Sequence, residues 1–193
     1  MAFLPGEIVS AFRSRFQSDR EPEIYRAPGR VNLIGEHTDY NLGFVFPIAL
    51  EMACYVAIAP ATHNRLRIYS RDFDQDFEIS VENLQAAKAT GQWNDYAIGV
   101  AQELVSAGVE LDSTDLYIAS EVPVGSGLSS SAALEISTAF ALLGSRKMPP
   151  LEIAQLGQRA ETQFVGVPCG IMDQYTSVFG RKGSAIQIDC RSL

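Results

Sequence analysis

Residues 121–135 read EVPVGSGLSSSAALE, and the fold turns on what this stretch is. Upstream, the apolar run LYIA at 116–119 has the character of a strand. Downstream, over 132–144, Ala133, Leu134, Ile136, Ala139, Phe140, Leu142 and Leu143 recur at helical spacing until Gly144. A strand, a Gly/Ser loop and a helix start together make an arrangement that can hold a phosphate. Gly125 and Gly127 allow close backbone approach. The free amides of the first helical turn, with about half a positive charge from the helix dipole, face the anion. A Walker A loop is excluded because no lysine follows, and the dinucleotide fingerprint because Ser130 stands where its third glycine belongs. Ser129, Ser130 and Ser131 instead offer hydroxyls to phosphate oxygens or to a metal. The same residues suit an ordinary capped helix with a flexible entry, so the stretch by itself leaves both readings open.

A length of 193 residues fits one domain, or a large one with a small partner, and 47% hydrophobic against 20% charged residues supports a substantial core. The formal charge of -8 and the lack of a Lys/Arg cluster argue against nucleic acid as a partner. An anionic ligand must then be held locally, by amides, a metal ion and a few placed cations. Cys54, Cys169 and Cys190 lack metal-ligand spacing and read as thiols of a reducing compartment. The start MAFLPGEIVS lacks the pattern of a signal sequence, and no apolar run is long enough to span a membrane. The expectation is a soluble, cytoplasmic chain.

Working outward, 6–16 reads as a helix with Ile8, Phe12 and Phe16 on one face. Residues 23–27 read as a strand closed by a turn at Pro28-Gly29, and 43–59 as two strand-like segments joined near Glu51. A strand at 65–70 is expected to pair with 77–81. Helices are expected at 97–107, at 151–164 after Pro149-Pro150, and at 171–179, followed by a strand at 184–190. Adjacent strand pairs mixed with helices favour an α+β layer structure.

Three polar constellations are candidates for chemistry. Arg30, Glu36, His37 and Asp39 could hydrogen-bond several hydroxyls with fixed direction, or form a solvated turn. Asp173 falls just inside a short helix, where the dipole favours a negative charge, as suits a proton acceptor and equally an ordinary first-turn aspartate. Glu161 reads either as a solvated helix residue or, with a serine hydroxyl and nucleotide phosphates, as a magnesium ligand. Trp93 is a core residue or a contact for a nucleotide base. His63 lies in a polar turn with no assigned role.

The combination resembles a known family. APGRVNLIGEHTDYN at 27–41 resembles the galactokinase signature, EVPVGSGLSSSAALE the ATP-phosphate motif of the wider GHMP kinases, and CGIMDQYTSVFG at 169–180 the segment bearing the galactokinase catalytic aspartate. The likeness runs from about residue 3 to the last. It implies ATP-dependent phosphorylation of galactose at its anomeric hydroxyl, with galactose and ATP as small-molecule substrates and Mg2+ as cofactor. By the resemblance, Asp173 is the base and Arg30 its catalytic neighbour. Glu36, His37, Asp39 and the Gly170 backbone bind the sugar. Gly125, Ser126, Gly127, Leu128, Ser129, Ser130 and Ser131 surround the phosphates, Trp93 lies near the adenine, and Ser131 and Glu161 ligate magnesium.

The implied fold is the GHMP N-terminal domain over 1–193, a mixed sheet packed by helices with a left-handed βαβ crossover, an exception to the usual hand. One departure is large. Family members run to roughly twice this length, and neither the third glycine-rich motif nor the sugar-site tyrosine of the second half occurs here. The chain therefore resembles the N-terminal half, expected to turn over poorly without the half that completes the cleft. Two alternatives stay in view: a non-catalytic sugar- and ATP-binding sensor, and a kinase for N-acetylgalactosamine or arabinose. The intact Ser129 to Ala133 run and Asp173 favour the enzyme, and the GEHTDYN loop favours galactose.

Overall fold

The computed structural model describes residues 5–193; residues 1–4, part of the stretch read as lacking a signal sequence, lie outside the described residues. Helix α1 (Pro5–Phe16) opens on a proline that needs no hydrogen-bond partner for its nitrogen, and carries Glu7 in its first turn and Arg13 and Arg15 in its last. Strands β1 (Glu23–Asn32), β2 (Phe44–Val45), β3 (Pro47–Pro60), β4 (Arg65–Ser70) and β5 (Gln75–Ser80) follow. Then come α2 (Asn94–Ser106), β6 (Thr114–Ser120), α3 (Ser130–Leu143), α4 (Pro150–Arg159), α5 (Met172–Phe179) and β7 (Ile188–Asp189).

The main sheet has the order β1-β3-β6-β4-β5 and is mixed: β4 and β6 run parallel, and the other neighbours antiparallel. The parallel pair is joined through β5 and α2, which is the βαβ unit of an α+β fold. Strand alternation sends Cys54, Val56, Ile68, Leu116 and Ile118 into one core with α2, α3 and α4, and Ala57, Ala59, Tyr117 and Ala119 into a second core under α1. Covered on both faces, β6 is buried from Thr114 through Ala119. Phe12 is fully buried in the second core, so Phe12→Ala would cost about 3 kcal/mol. No helix among the described residues is long and apolar enough to cross a membrane.

Four boundaries differ from expectation. The strand does not turn at Pro28-Gly29: β1 continues to Asn32, with an irregularity in its register between Pro28 and Arg30. Proline is tolerated because β1 is an edge strand, and the bulge re-aims the residues after it. The segment 43–59 breaks at Phe46, between β2 and β3, and Glu51 lies within one continuous strand. The helix expected over 151–164 is α-helical only to Arg159 and continues as a π-helical turn, Ala160–Val165. The strand expected at 184–190 pairs only at Ile188–Asp189, with an isolated bridge between Ala185 and Ile48.

Candidate functional site

Asp173 stands in the first turn of α5, and its carboxylate is gripped from two sides. From β1, Arg30 donates through Nε at 2.7 Å and Nη2 at 2.7 Å, while its Nη1 reaches the Gly127 carbonyl oxygen at 2.6 Å. From the start of α3, the Ser129 hydroxyl donates to Asp173 Oδ2 at 2.5 Å. A fork on a carboxylate fixes direction as well as distance. The pair is largely sheltered, at 13% exposure for the Arg30 side chain and 22% for that of Asp173.

The loop before α3 is fastened to β1 by the Arg30 amide, which donates to the Leu128 carbonyl at 3.1 Å. This closeness requires Gly29, where a Cβ would fall 2.6 Å from that same oxygen. In the loop Gly125 and Gly127 hold φ of 71° and 74°, and a Cβ on either would meet nothing, so space lies open above the backbone. Ser129 holds a left-handed φ of 60°, a strained conformation for a residue with a side chain. Its hydroxyl makes no cap bond to α3, being turned to Asp173. The first amides of a fourteen-residue helix are left without a side-chain cap, as an anion site requires.

Two cavities flank this loop. One, of about 450 Å3, is lined by Arg30, Asn32, Glu36, His37, Asp39, Tyr40, Gly127, Gly170 and Asp173 among others. The Asp39 carboxylate packs on the Gly170 backbone so tightly that a Cβ there would lie 2.0 Å from Asp39 Oδ2. Asn32 Nδ2 donates to Glu36 Oε1 at 3.3 Å, and His37 Nδ1 meets the Tyr40 hydroxyl at 2.5 Å. Carboxylates, an imidazole and a guanidinium converging on one space suit a polyhydroxylated ligand.

The other cavity, of about 300 Å3, is lined by Trp93, Phe73, Tyr96, Ser130 and Ser131 with mostly apolar neighbours. Trp93 and Phe73 stack with centroids 5.8 Å apart and planes inclined by 12°, and the indole N–H donates to Gln75 Oε1 at 2.8 Å. Gly125, Ser126, Leu128 and Ser129 line neither cavity. Ser126 turns its hydroxyl to the Pro123 carbonyl at 2.7 Å, and the Leu128 side chain packs on the main core.

Glu161 lies in the π-helical turn, a helix irregularity often found at functional sites, and is buried rather than solvated. Burial pushes its carboxyl pKa up, while hydrogen bonds from Ser131, Cys169 and Gln174 oppose that rise. Two neighbours escaped the sequence reading. Glu135 of α3 is fully buried, with its pKa well above the usual carboxylate range, first through burial and then through the charge of Glu161. Gln174, also fully buried, bridges the two carboxylates. The available signal was a lone glutamate on the apolar stripe of a helix, three residues after Ala132 and one before Ile136.

Residues 10–60 match the family described as "Galactokinase galactose-binding signature", and residues 95–181 that described as "GHMP kinases N terminal domain". The chain is 47% identical to a galactokinase of Roseiflexus sp. over 94% of its own length and 47% of that protein's. It is also 47% identical to one of Chloroflexus aggregans over 96% and 48%. It thus spans about half the length of the curated relatives it matches. Among solved structures, Lactococcus lactis galactokinase complexed with galactose superposes with a TM-score of 0.90 at 36% identity, covering 97% of this chain and 50% of that one. Methanococcus jannaschii mevalonate kinase shares the fold, with a TM-score of 0.79 at 20% identity over 91% and 56%.

Proposed function

The chain belongs to the GHMP kinase family, on its galactokinase branch, and we propose from this that it binds galactose and ATP for phosphoryl transfer to the anomeric hydroxyl. The observation that carries the reading is the position of Asp173, held between Arg30 and the Ser129 hydroxyl and facing the cavity of Glu36, His37 and Asp39. Galactose occupies that cavity, with its hydroxyls directed by these side chains and the Gly170 backbone. ATP lies along the other cavity, its base near Trp93 and Phe73 and its phosphates over 125–131 at the α3 start. The anomeric oxygen attacks the γ-phosphorus, the bond to the β-phosphate oxygen breaks, and ADP leaves. The hydroxyl proton passes to the Asp173 carboxylate, and Arg30 offsets charge on the transferring group.

A magnesium ion fits the residues present. Ser131 and Glu161 are hard oxygen donors that meet each other, and beside them Glu135 Oε1 and Gln174 Oε1 are buried without a partner. Among the described residues no three His, Cys, Asp or Glu gather into a cage, so phosphates and water would complete its shell. When bound, the ion would neutralise phosphate charge.

We read residues 1–193 as one N-terminal domain, and assign to a second half, of the length its relatives have, the other wall of the cleft. Water exclusion by that wall is needed for fast transfer. Three free cysteines suit a cytoplasmic setting. The test is 31P NMR of the intact protein with ATP and galactose, in parallel with glucose and N-acetylgalactosamine. The expected product carries phosphorus coupled to the anomeric proton, with glucose about 10^4-fold poorer because a mismatched hydroxyl leaves buried polar groups unpaired. A product phosphorylated elsewhere, or binding of both ligands with no product, overturns the reading; the second outcome marks a sensor.

A further inference from the structure

Behind the loop before α3, three elements bring buried polar side chains to one point. Gln174 of α5, with 0% exposure, uses both hydrogens of one nitrogen: Nε2 donates to Glu161 Oε2 at 2.7 Å and to Glu135 Oε2 at 2.9 Å. The Cys169 thiol donates to the same Glu161 oxygen at 3.4 Å. Glu135 Oε1 and Gln174 Oε1 have no hydrogen-bond partner and no exposure to water.

The packing leaves little slack. At Gly157 of α4 a Cβ would come within 3.1 Å of Gln174 Cγ, and at Gly99 of α2 within 3.2 Å of Ala160 at the head of the π-helical turn. Two carboxylates and an amide are an expensive way to fill a core that leucine would fill at no electrostatic cost. Their arrangement has a direction: the amide grips one oxygen of the single carboxylate that also meets the Ser131 hydroxyl at the head of α3.

We propose that Gln174, anchored by Glu135, is a positioning residue for the Glu161 carboxylate, fixing the angle at which it and Ser131 present oxygens to a divalent cation on the nucleotide. The proposal rests on the reading of Glu161 and Ser131 as cation ligands. Outer-shell partners of this kind orient a ligand without touching the metal, and their loss typically lowers metal affinity about 10- to 100-fold.

The test is made on the intact protein, with Mn2+ as the probe. Its binding is followed by electron paramagnetic resonance in the presence of a non-hydrolysable ATP analogue, and galactose binding by calorimetry. Glu161→Gln is expected to weaken Mn2+ about ten-fold or more. Gln174→Met, which keeps the shape and removes the amide, is expected to weaken Mn2+ about ten-fold with galactose affinity within about two-fold of wild type. Glu135→Leu moves in the same direction, whereas Glu135→Gln, which still offers an oxygen to the Gln174 N–H, stays close to wild type. If Gln174→Met does not fold, Gln174→Asn, too short to reach both carboxylates, is judged by the same outcomes. Unchanged Mn2+ affinity in the Gln174 variant, or parallel loss of Mn2+ and galactose as general damage would give, overturns the proposal while leaving Glu161 as a ligand. Unchanged Mn2+ affinity in Glu161→Gln removes the ligand reading itself and this proposal with it.

Discussion

Arg30–Asp173 and Arg67–Asp115 are the same chemical pair, a guanidinium fork on a carboxylate, with bonds of 2.7 and 2.7 Å in the first and 2.6 and 2.8 Å in the second. Their surroundings separate them. Arg67 and Asp115 face each other across the parallel pair β4 and β6, and His63 Nε2 adds a contact to Asp115 at 2.9 Å. Ser113 closes the network, meeting His63 Nδ1 at 3.2 Å and bonding the Arg65 backbone in both directions. With its side chain only 7% exposed, Asp115 is enclosed by the sheet it ties together. Asp173 instead opens on a cavity, with a strained Ser129 on one side and an uncapped helix start beside it. Geometry of the ion pair alone therefore says nothing of function; what the carboxylate faces decides it.

The sharpest way to break the contrast is to remove one negative charge from each pair. Asp173→Asn in the intact protein is expected to cut galactose phosphorylation about 10^3-fold, the scale of a lost general base. Its stability should fall by only about 1 kcal/mol, since the cavity beside Asp173 lets water take up the bond that Arg30 loses. Steady-state kinetics with thermal unfolding checks both; retained turnover with a large loss of stability would make the two pairs alike.

Asp115→Asn is expected to do the reverse. Breaking a buried pair costs about 3 to 5 kcal/mol, but Arg67 is 35% exposed and can turn to solvent, so about 2 kcal/mol is expected. That lowers the unfolding midpoint by roughly 4 to 8 °C in this 193-residue chain, with turnover per folded molecule of the intact protein unchanged.

The buried carboxylates sharpen the contrast further, because among the described residues they are paired with no cation. Glu135 has its pKa raised in the fold, so the folded state keeps a proton that the unfolded chain releases above its ordinary 4.5. The associated stability is full below about pH 4.5 and is lost as pH rises towards the folded value. The unfolding free energy of wild type, followed by thermal or denaturant unfolding, should therefore fall more steeply with rising pH than that of Glu135→Gln, by up to about 1.4 kcal/mol per pH unit in that window. Parallel pH profiles would show that Glu135 carries no folding-linked proton. The smallest effect is expected at the cavity lined by Trp93 and Phe73. Phe73→Ala removes the ring stacked on Trp93 and should weaken an ATP analogue by about 1 kcal/mol, roughly five-fold by calorimetry, with galactose affinity unchanged.

How much of this was legible in the letters depends on the range of the interaction. Helices α1, α2 and α3 and strand β4 follow from local periodicity, because one face of each meets a core, and β6 follows from an unbroken apolar run that is covered on both faces. The Gly/Ser loop before α3 and the GEHTDYN turn stand out in the letters as motifs, since glycine and clustered polar residues constrain the chain where they stand. The continuation of β1 through Pro28-Gly29 was not, because the contact that makes it useful, Gly29 against Leu128, spans the chain. Glu135 and Gln174 read as one helix residue among many until three separate elements bring them to Glu161. The motif at 169–180 singled out Asp173, but what sets its ion pair apart from that of Asp115 lies in the neighbours each meets in space.

A crystal structure of the intact protein with galactose and a non-hydrolysable ATP analogue measures the decisive distance, from the Asp173 carboxylate to the anomeric oxygen. The expected result is a hydrogen bond of about 2.6 to 3.2 Å, with the terminal phosphate over the loop before α3. A sugar whose anomeric oxygen faces away from Asp173, or a phosphate seated elsewhere, would contradict it.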